Sequence, residues 1–316
     1  MIANPTPLDA IYLSLVVPCY NEENSIPIFY EEAIKIGKSI NRQFEIIFVD
    51  DGSTDNTLNI LKRLANQDAC VHYISLSRNF GKEAALLAGL QSARGEYIVT
   101  LDVDGQDPPA LIPQMLEAVA SGEYDSAGAR RVDRMNEPPV RSFFARRFYA
   151  LMKKVSNIEV VDGARDFRLM NRKYLEALLI LQERNRFSKG IFPWIGFKTK
   201  WFEYKNIERT TGKTKWSFWK LFLYSLDGII AFSSKPLAIA SVIGVLLFLA
   251  AFLFIGFIIV RKLMWGDPVS GWASTVCIIL FCSGIQLFTI GILGQYIAKI
   301  HTEVKQRPQY IIREAQ

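Results

Sequence analysis

The sequence predicts an α/β domain with a doubly wound, mostly parallel sheet, followed by helices associated with a membrane. Two observations lead to this architecture. Short apolar runs alternate with segments of helical spacing over the first 120 residues, which is typical of a parallel sheet covered by helices. Two later stretches, residues 236–260 and 271–298, contain no charged residue. About 20 helical residues cross a hydrocarbon core of roughly 30 Å, so each stretch is long enough to span a bilayer.

Four buried strands are expected in the first part of the chain, each followed by a helix. The strands are expected at residues 13–18, 44–49, 71–76 and 97–101, and the helices at residues 25–41, 54–65, 82–93 and, after Pro108 and Pro109, up to residue 120. In doubly wound sheets, ligands bind beyond the carboxyl ends of the strands. Three of these four strand ends carry acidic or turn-forming residues, so the chemistry is expected at that edge.

The periodicity weakens after residue 124, where three further helices are expected. Residues 142–155 predict a basic helix, and residues 169–181 predict another. Residues 215–233 carry Trp216 and Trp219 at helical spacing just before the first apolar stretch, which favours a helix lying in the membrane interface. An amphipathic helix packed on the protein core is the alternative.

Charge and cysteine usage exclude several classes of protein. The 37 Lys and Arg residues outnumber the 31 Asp and Glu residues, for a net charge of +6, but they form no dense basic tract, so nucleic acid is not the expected partner. Many of them flank the two apolar stretches. The positive-inside rule therefore predicts both termini and the main domain on the cytoplasmic face of the plasma (inner) membrane. The four cysteines form no C-x-x-C pair, so neither a zinc site nor a disulfide framework is predicted.

An acidic pair ends the fourth expected strand. Asp102 and Asp104 lie one residue apart and are followed by Gln106. Mg²⁺ prefers oxygen ligands and usually combines few protein carboxylates with substrate phosphates, and such a metal would stabilise a diphosphate leaving group. Alone, this pattern fits a solvated turn or a helix cap better than a metal site. Polar strand ends at residues 18–22 and 50–55 favour one shared site.

Four motifs at these strand ends together resemble the inverting family-2 glycosyltransferases of GT-A fold. They are Pro18-Cys-Tyr-Asn-Glu22, Asp50-Asp-Gly-Ser-x-Asp55, Arg78-Asn-Phe-Gly-Lys82 and Asp102-x-Asp-x-Gln-Asp-Pro-Pro109. Three later segments are similar to the polyprenyl-phosphate glycosyltransferases, which include dolichyl-phosphate mannose synthases and bacterial bactoprenol glucosyltransferases. They are Asp166-Phe-Arg-Leu-Met-Asn-Arg172, Arg186-Phe-x-Lys-Gly190 and Trp194-Ile-Gly-Phe197. The chain departs from the family pattern at Arg165, where a glycine is often found.

The resemblance implies transfer of a hexose, glucose from UDP-glucose, onto polyprenyl (undecaprenyl) phosphate with the help of Mg²⁺ or Mn²⁺. The residues implied to bind the nucleotide sugar are Pro18, Tyr20, Glu22, Asp51, Lys82 and Asp102. Those implied to bind the metal are Asp104 and Gln106, and the catalytic candidates are Asp104, Arg168 and Asp166, the last as base or orienting group. Basic residues suit the acceptor phosphate, because guanidinium groups bind phosphate bidentately. The candidates are Arg130, Arg131, Arg186, Lys189, Arg209 and Lys215.

These patterns divide the chain into four parts. We expect a catalytic domain at residues 1–165, acceptor-side and interface helices at 166–234, a transmembrane hairpin at 235–300 and a cytoplasmic tail at 301–316. Two alternatives stay open, namely a GDP-mannose-dependent mannosyltransferase and a catalytically silent, nucleotide-binding membrane adaptor. The sequence also leaves open whether the chain forms a homo-oligomer.

Overall fold

A computed structural model describes residues 11–132, 161, 163–204, 235–265 and 271–316 of the chain. The helices expected at residues 142–155 and 215–233 lie outside the described residues, as do Arg209 and Lys215.

A mixed sheet of eight strands forms the centre of the described chain. The strands are β1 Leu13–Cys19, β2 Phe44–Asp50, β3 Val71–Leu76, β4 Tyr97–Thr100, β5 Ser126–Arg131, β6 Ala164–Asn171, β7 Thr199–Tyr204 and β8 Ile312–Ala315. Their order across the sheet is β7-β5-β6-β4-β1-β2-β3-β8. Strands β4, β1, β2 and β3 are parallel to one another, and β7 is parallel to β5. Strand β6 runs antiparallel to both its neighbours, and β8 runs antiparallel to β3. The predicted α/β class with a mostly parallel sheet is confirmed.

Helices cover both faces of this sheet. They are α1 Ser25–Ser39, α2 Thr57–Gln67, α3 Lys82–Ser92, α4 Ile112–Ala120, α5 Arg172–Ile180 and α6 Ser188–Trp194. Two long helices, α7 Lys235–Trp265 and α8 Trp272–Val304, follow them in the chain. Leu13, Leu15 and Val17 of β1 pack in the core under α1, α2 and α4, whereas Val16 packs in the core under α3, α5 and α6. Successive strand residues point to opposite faces, so a strand covered on both sides is continuously apolar. This is why the first four strands are evident as short apolar runs.

The helix expected at residues 169–181 is wrong in its first three residues, which belong to β6. The helix α5 begins only at Arg172, where the side chain of Asn171 accepts a hydrogen bond from the backbone N–H of Tyr174 (2.8 Å). Asn171 itself has an extended backbone. An asparagine in this conformation caps a helix and ends the preceding strand, so the apolar residues before it pair in the sheet.

The sheet also extends beyond the boundary expected after residue 165. That boundary falls inside β6, and β7 and β8 from later segments join the same sheet. The physical reason is that β5 and β3 would otherwise be edge strands with unpaired backbone groups. β7 covers β5 and β8 covers β3, so residues 312–315 belong to the sheet rather than to a separate tail.

The two C-terminal helices carry the long apolar stretches. Within the described residues, the segment Phe281–Val304 of α8 is long and apolar enough to cross a bilayer, and Ala240–Phe254 of α7 is a shorter apolar helical segment. Large apolar side chains are exposed along both helices, among them Phe252, Leu253 and Leu287. The structure thus supports one of the two expected spans, and the second is not confirmed.

Replacing Gly52 with alanine should destabilise the protein more than the same change at Gly122. Both glycines have a positive φ, of 68° and 78°, which costs an L-residue about 1–2 kcal/mol. Of the two, only Gly52 would place its Cβ against backbone, 2.4 Å from the carbonyl carbon of Arg78. We expect Gly52→Ala to lose at least about 1 kcal/mol more free energy of unfolding than Gly122→Ala. Chemical denaturation of both full-length variants measures the difference, and equal losses would contradict it.

Candidate active site

The loops that follow β1, β2 and β4 meet at one edge of the sheet. These three strands are adjacent and parallel, so their carboxyl ends face the same side. The loops after β1 and β2 are joined by hydrogen bonds from Asn21 N to Ser53 Oγ (2.9 Å), from Thr54 N to Asn21 Oδ1 (2.8 Å) and from Glu22 N to Thr57 Oγ1 (2.9 Å). Asn21 has φ +54°, a conformation that asparagine tolerates better than most residues. The polar residues after β1 and β2 therefore form one connected wall.

Three residues expected to bind the nucleotide lie on this wall. Tyr20 is 37% exposed, so its ring is open to solvent. Pro18 is half-buried. The carboxylate of Glu22 accepts a hydrogen bond from Ser25 Oγ (2.8 Å) at the start of α1. The wall thus offers an exposed aromatic ring beside a carboxylate that is held in place.

Asp51, also expected to bind the nucleotide, is hydrogen-bonded to the loop that precedes α3. It is only 2% exposed, and its two oxygens accept hydrogen bonds from the backbone N–H groups of Phe80 (2.7 Å) and Gly81 (2.9 Å). Burial raises the pKa of Asp51, while these two N–H groups act in the opposite direction. The structure therefore shows Asp51 fixing the loop before α3, the helix that begins with Lys82.

Lys82 joins two of the other predicted residues. Its ammonium nitrogen lies 2.7 and 2.8 Å from the two carboxylate oxygens of Asp102 and 2.5 Å from Asp166 Oδ2. Burial opposes the charges, yet the carboxylates raise the pKa of Lys82 well above its ordinary value. Burial likewise opposes the charge of Asp166, but Lys82, then Lys189 and Arg165, hold the pKa of Asp166 far below its ordinary range. The cluster brings together residues from α3, from the end of β4 and from β6.

A second network stabilises the loop that carries the acidic pair. Arg165 donates to Gln106 Oε1 (3.2 Å) and to Asp107 Oδ1 (3.3 Å), and Tyr204 Oη donates to the same Asp107 oxygen (2.9 Å). The backbone N–H of Gln106 donates to Asp104 Oδ1 (3.1 Å). Asp107 is 1% exposed, and burial raises its pKa although Arg165 acts to lower it. β6 and β7 therefore hold the Asp104–Gln106 turn in position.

The sequence analysis did not assign a role to Asp107, Arg165 or Tyr204. Asp107 stands within the fourth motif, and Arg165 stands out as a departure from the family pattern, so both gave a signal. Tyr204 gave none, because its contact with Asp107 exists only once β7 has paired with β5.

Among the described residues, the basic side chains expected to bind the acceptor have different partners. The charge of Lys189 helps to lower the pKa of Asp166, so Lys189 lies near the cluster of Lys82, Asp102 and Asp166. Arg130 is paired with Glu203, and the backbone N–H of Arg131 donates to Gly163 O (3.0 Å). Arg186 donates to the carbonyl of Leu181 (2.6 Å). The structure thus brings one of these described basic residues, Lys189, to the cluster.

Arg168, expected in the catalytic set, is buried in the structure. It is 3% exposed, and its guanidinium donates to Ser126 Oγ (3.0 Å) and Thr199 Oγ1 (3.3 Å). Its guanidinium carbon also lies 4.8 Å from the ring centre of Phe192 and 5.2 Å from that of Trp201. Cations gain energy from such ring faces. Arg168 therefore packs between strands and helices instead of facing the open edge, because its position in β6 is deeper in the sheet than that of Asp166.

Comparison with known proteins identifies the family of this site. The family model described as "Glycosyl transferase family 2" matches residues 14–179, a segment that contains the whole cluster of Lys82, Asp102 and Asp166. The chain belongs to glycosyl transferase family 2. It is therefore a glycosyltransferase, as its motifs predicted.

Relatives extend this similarity to nearly the whole chain. The glycosyltransferase is 41% identical over 303 residues to the putative glycosyltransferase CsbB of Bacillus subtilis (strain 168), covering 96% of this chain and 92% of that protein. It is 42% identical to the SfII prophage-derived bactoprenol glucosyl transferase of Shigella flexneri, covering 96% and 98%. Among solved structures, glucosyl-3-phosphoglycerate synthase from Mycobacterium tuberculosis is 19% identical, with a TM-score of 0.45, over 70% of this chain and 78% of that chain.

The oxygen donors at the end of β4 have the chemistry that a hard divalent cation requires. Among the described residues, no group of three or more His, Cys, Asp and Glu side chains is placed to hold a metal ion. Mg²⁺, however, takes one or two protein carboxylates and completes its shell with phosphates and water. Asp102 and Asp104 provide carboxylates there and Gln106 an amide oxygen. The ammonium of Lys82 on Asp102 shows that this position attracts positive charge, so the donor set fits a metal shared with a diphosphate.

The pairing of Arg165 with Asp107 should be strongly coupled in the glycosyltransferase. The Asp107 carboxylate is buried, so removing Arg165 leaves a charge without its partner. In a double-mutant cycle of Arg165→Gln and Asp107→Asn, we expect a coupling energy of about 1–3 kcal/mol in the free energy of unfolding. The exposed pair of Lys198 and Glu123, 3.4 Å apart, is the matched control and should give less than about 0.5 kcal/mol. Similar coupling in both cycles would contradict the role of Arg165.

The stability lost in Lys82→Met should depend on pH. The pKa of Asp166 is depressed in the folded state, so ionised Asp166 stabilises the fold above the unfolded pKa of about 3.9, and this contribution is lost as the pH falls below that value. Without Lys82 the pKa of Asp166 rises, because its burial remains. The difference in unfolding free energy between the unmodified chain and Lys82→Met should therefore be largest near neutral pH and narrow as the pH falls through the raised pKa of Asp166 in the variant.

Denaturation at a series of pH values measures this difference. Lys62→Met is the control, because Lys62 forms a partly exposed pair with a single carboxylate, that of Glu314 (2.7 Å), and should show only a small effect. A gap for Lys82→Met that stays constant between pH 7 and pH 3 would contradict the assignment.

Proposed function

We propose that this glycosyltransferase transfers glucose from UDP-glucose to a polyprenyl phosphate and inverts the anomeric centre. The observation that carries the proposal is the contact of Lys82 with both Asp102 and Asp166. It joins the edge expected to bind the nucleotide sugar to the strand β6 that carries the candidate orienting carboxylate. The choice of sugar and acceptor is supported by the relatives named bactoprenol glucosyl transferase. They are 42% identical to this chain, and the alignment covers 98% of their length.

The donor is proposed to lie along the carboxyl edge of β1, β2 and β4. Tyr20 is exposed there and offers a face on which the uracil ring stacks. Glu22 stands beside it, while Asp51 acts indirectly by fixing the loop that precedes Lys82. Lys82 is 43% exposed at its side chain, so its ammonium is accessible to the diphosphate. Mg²⁺ or Mn²⁺ bound by Asp104 and Gln106 would stabilise the charge of the leaving diphosphate.

The reaction is proposed as one direct displacement. An oxygen of the lipid phosphate forms a bond to the anomeric carbon, and the bond from that carbon to the UDP oxygen breaks, so that UDP leaves with the electron pair. An α-linked donor then gives a β-linked product. The phosphate oxygen is already ionised near neutral pH, so positioning and charge neutralisation matter more than proton removal.

Asp166 suits an orienting role in this displacement better than that of a base. Its pKa lies far below the ordinary range, so the carboxylate has little tendency to take a proton at neutral pH. It holds the ammonium of Lys82 at 2.5 Å, and Lys189 lies near it. We propose that Asp166 positions these two cations, of which Lys189 neutralises the incoming lipid phosphate.

The enzyme is proposed to act at the cytoplasmic face of the plasma (inner) membrane. The segment Phe281–Val304 supports one span, and the apolar residues 236–260 support a second that would place both termini on one side. The acceptor headgroup would then lie at the membrane surface beside the domain. Arg130, Arg131, Arg186, Arg209 and Lys215 are retained as candidates for the surface that receives it.

A transfer assay tests the proposal. Purified full-length protein is incubated with a polyprenyl phosphate and Mg²⁺ or Mn²⁺, with labelled UDP-glucose, UDP-GlcNAc, UDP-galactose and GDP-mannose supplied separately. We expect label to enter the organic phase from UDP-glucose and a chelator to block it. Asp104→Ala and Asp166→Asn should each reduce the rate at least about 100-fold.

Glu117→Gln is the matched control, because Glu117 is an exposed acid on α4 outside the described cluster and should leave the rate unchanged. Transfer from GDP-mannose alone would replace the proposed donor. Nucleotide binding without lipid labelling from any donor would overturn the proposed activity in favour of a silent adaptor.

A further inference from the structure

A cavity of about 520 Å³ lies between the end of α8, the chain around residues 184–187 and the start of α3. It is not part of the donor edge described above. Five cationic side chains line it together with His301 and a single carboxylate, that of Glu83. These cations are Arg184, Arg186, Lys299, Lys305 and Arg307. The cavity is thus strongly positive.

The acids near this cavity are already engaged by backbone groups. Glu83 accepts hydrogen bonds from the backbone N–H of Ser188 (3.0 Å) and from its hydroxyl. Glu303 Oε1 accepts from the backbone N–H groups of Arg184 (2.8 Å) and Asn185 (3.1 Å), while its other oxygen is 3.9 Å from the Arg184 guanidinium. These carboxylates therefore shape the chain around the cavity and compensate its positive charge only in part.

The two arginines of the wall are held in place by carbonyl oxygens. Arg184 Nε donates to the carbonyl of Arg307 (2.9 Å), and Arg186 donates to that of Leu181 (2.6 Å). A carbonyl fixes the direction of a guanidinium but carries no net charge. Burial lowers the pKa of Arg186, with Glu83 and Glu183 acting in the opposite direction. Guanidinium groups held in this way are prepared to bind an anion, and phosphate fits their planar fork.

The position of the cavity indicates where the anion comes from. One wall is the last part of α8, whose segment Phe281–Val304 is long and apolar enough to cross a bilayer. Lys299, Lys305 and Arg307 stand at or just beyond the end of that segment, where the headgroups of lipids would lie. The favourable effect of cations at a helix C-terminus accounts for one or two such charges, but not for Arg184 and Arg186, which come from a separate segment.

We propose that this cavity, whose lining includes the acceptor candidate Arg186, binds the phosphate headgroup of a membrane lipid. The residues next to its wall lead to the catalytic cluster, because Glu83 follows Lys82, and Lys189, which acts on Asp166, follows Ser188. A lipid phosphate held here would lie beside the segments that carry Lys82 and Lys189. The lipid is either the polyprenyl phosphate acceptor, a reading that rests on the proposed function, or an anionic phospholipid of the bilayer.

Titration calorimetry on the full-length chain in neutral detergent tests this inference. The probes are a short-chain polyprenyl phosphate and, separately, a short-chain phosphatidylglycerol, both without nucleotide sugar. The variant Lys305→Gln/Arg307→Gln removes two exposed charges. Arg307 accepts the hydrogen bond of Arg184 through its backbone carbonyl, which the variant retains. Since each such charge contributes about 1 kcal/mol to binding an anionic lipid, we expect affinity to fall about tenfold to thirtyfold.

Two further variants sharpen the result. Lys35→Gln/Lys38→Gln removes the same charge from exposed positions of α1 and should bind as the unmodified chain does. Thr302→Asp places a negative charge in the cavity wall and should weaken binding without removing any cation. If the variants bind only the polyprenyl phosphate more weakly, the acceptor is the occupant of the cavity. If they bind both probes more weakly, the cavity binds lipid phosphate in general.

Unchanged affinity for both probes in Lys305→Gln/Arg307→Gln and in Thr302→Asp would overturn the inference. Because no donor is present, this failure is distinct from failure of the proposed function. A chain that binds lipid at the cavity but transfers no sugar overturns only the proposed function. A chain that transfers sugar but binds lipid equally well in all variants overturns only the role of the cavity.

Discussion

The ammonium of Lys82, shared between Asp102 and Asp166, is the contact on which the site depends. Two carboxylates from different strands repel each other unless a cation lies between them, and the electrostatic attraction is strong where water is partly excluded. With one positive and two negative charges, the cluster keeps a net negative charge. It therefore still attracts cations.

The sheet supplies this geometry through parallel pairing and through loops that fix one another. Parallel β4, β1 and β2 bring three loops to one edge. Both carboxylate oxygens of Asp51 accept hydrogen bonds from the loop before Lys82. Buried polar groups are costly unless they are hydrogen-bonded, so a buried carboxylate such as Asp51 defines the loop it contacts. Arg165 and Asp107 do the same for the turn that carries Asp104. The reacting groups are held by polar contacts that lie beneath them.

The sequence contained most of the fold and part of the site. Strands β1 to β4 are continuous apolar runs because both faces are covered, and their bounds were predicted to within one or two residues. β6 was missed because the charged residues Arg165 and Asp166 stand near its start. β8 was missed because its four residues are exposed or half-buried and show no apolar pattern that would indicate a strand before it pairs with β3. Motifs identified Lys82, Asp102 and Asp166. They could not show that Asp51 turns inward, that Arg168 is buried, or that Tyr204 reaches Asp107, because these depend on which strands become neighbours.

The C-terminal segment links the end of α8 to the edge of the candidate site. Glu303 in the last turn of α8 accepts a hydrogen bond from the backbone N–H of Arg184, Tyr310 is hydrogen-bonded to Gln91 of α3, and β8 pairs with β3. β3 leads directly into the loop that Asp51 holds. The end of α8 is thereby connected, through side-chain contacts and strand pairing, to the loop that precedes Lys82. The positive cavity lies beside this path, because its wall contains residues from the end of α8, from the segment around Arg184 and from the start of α3.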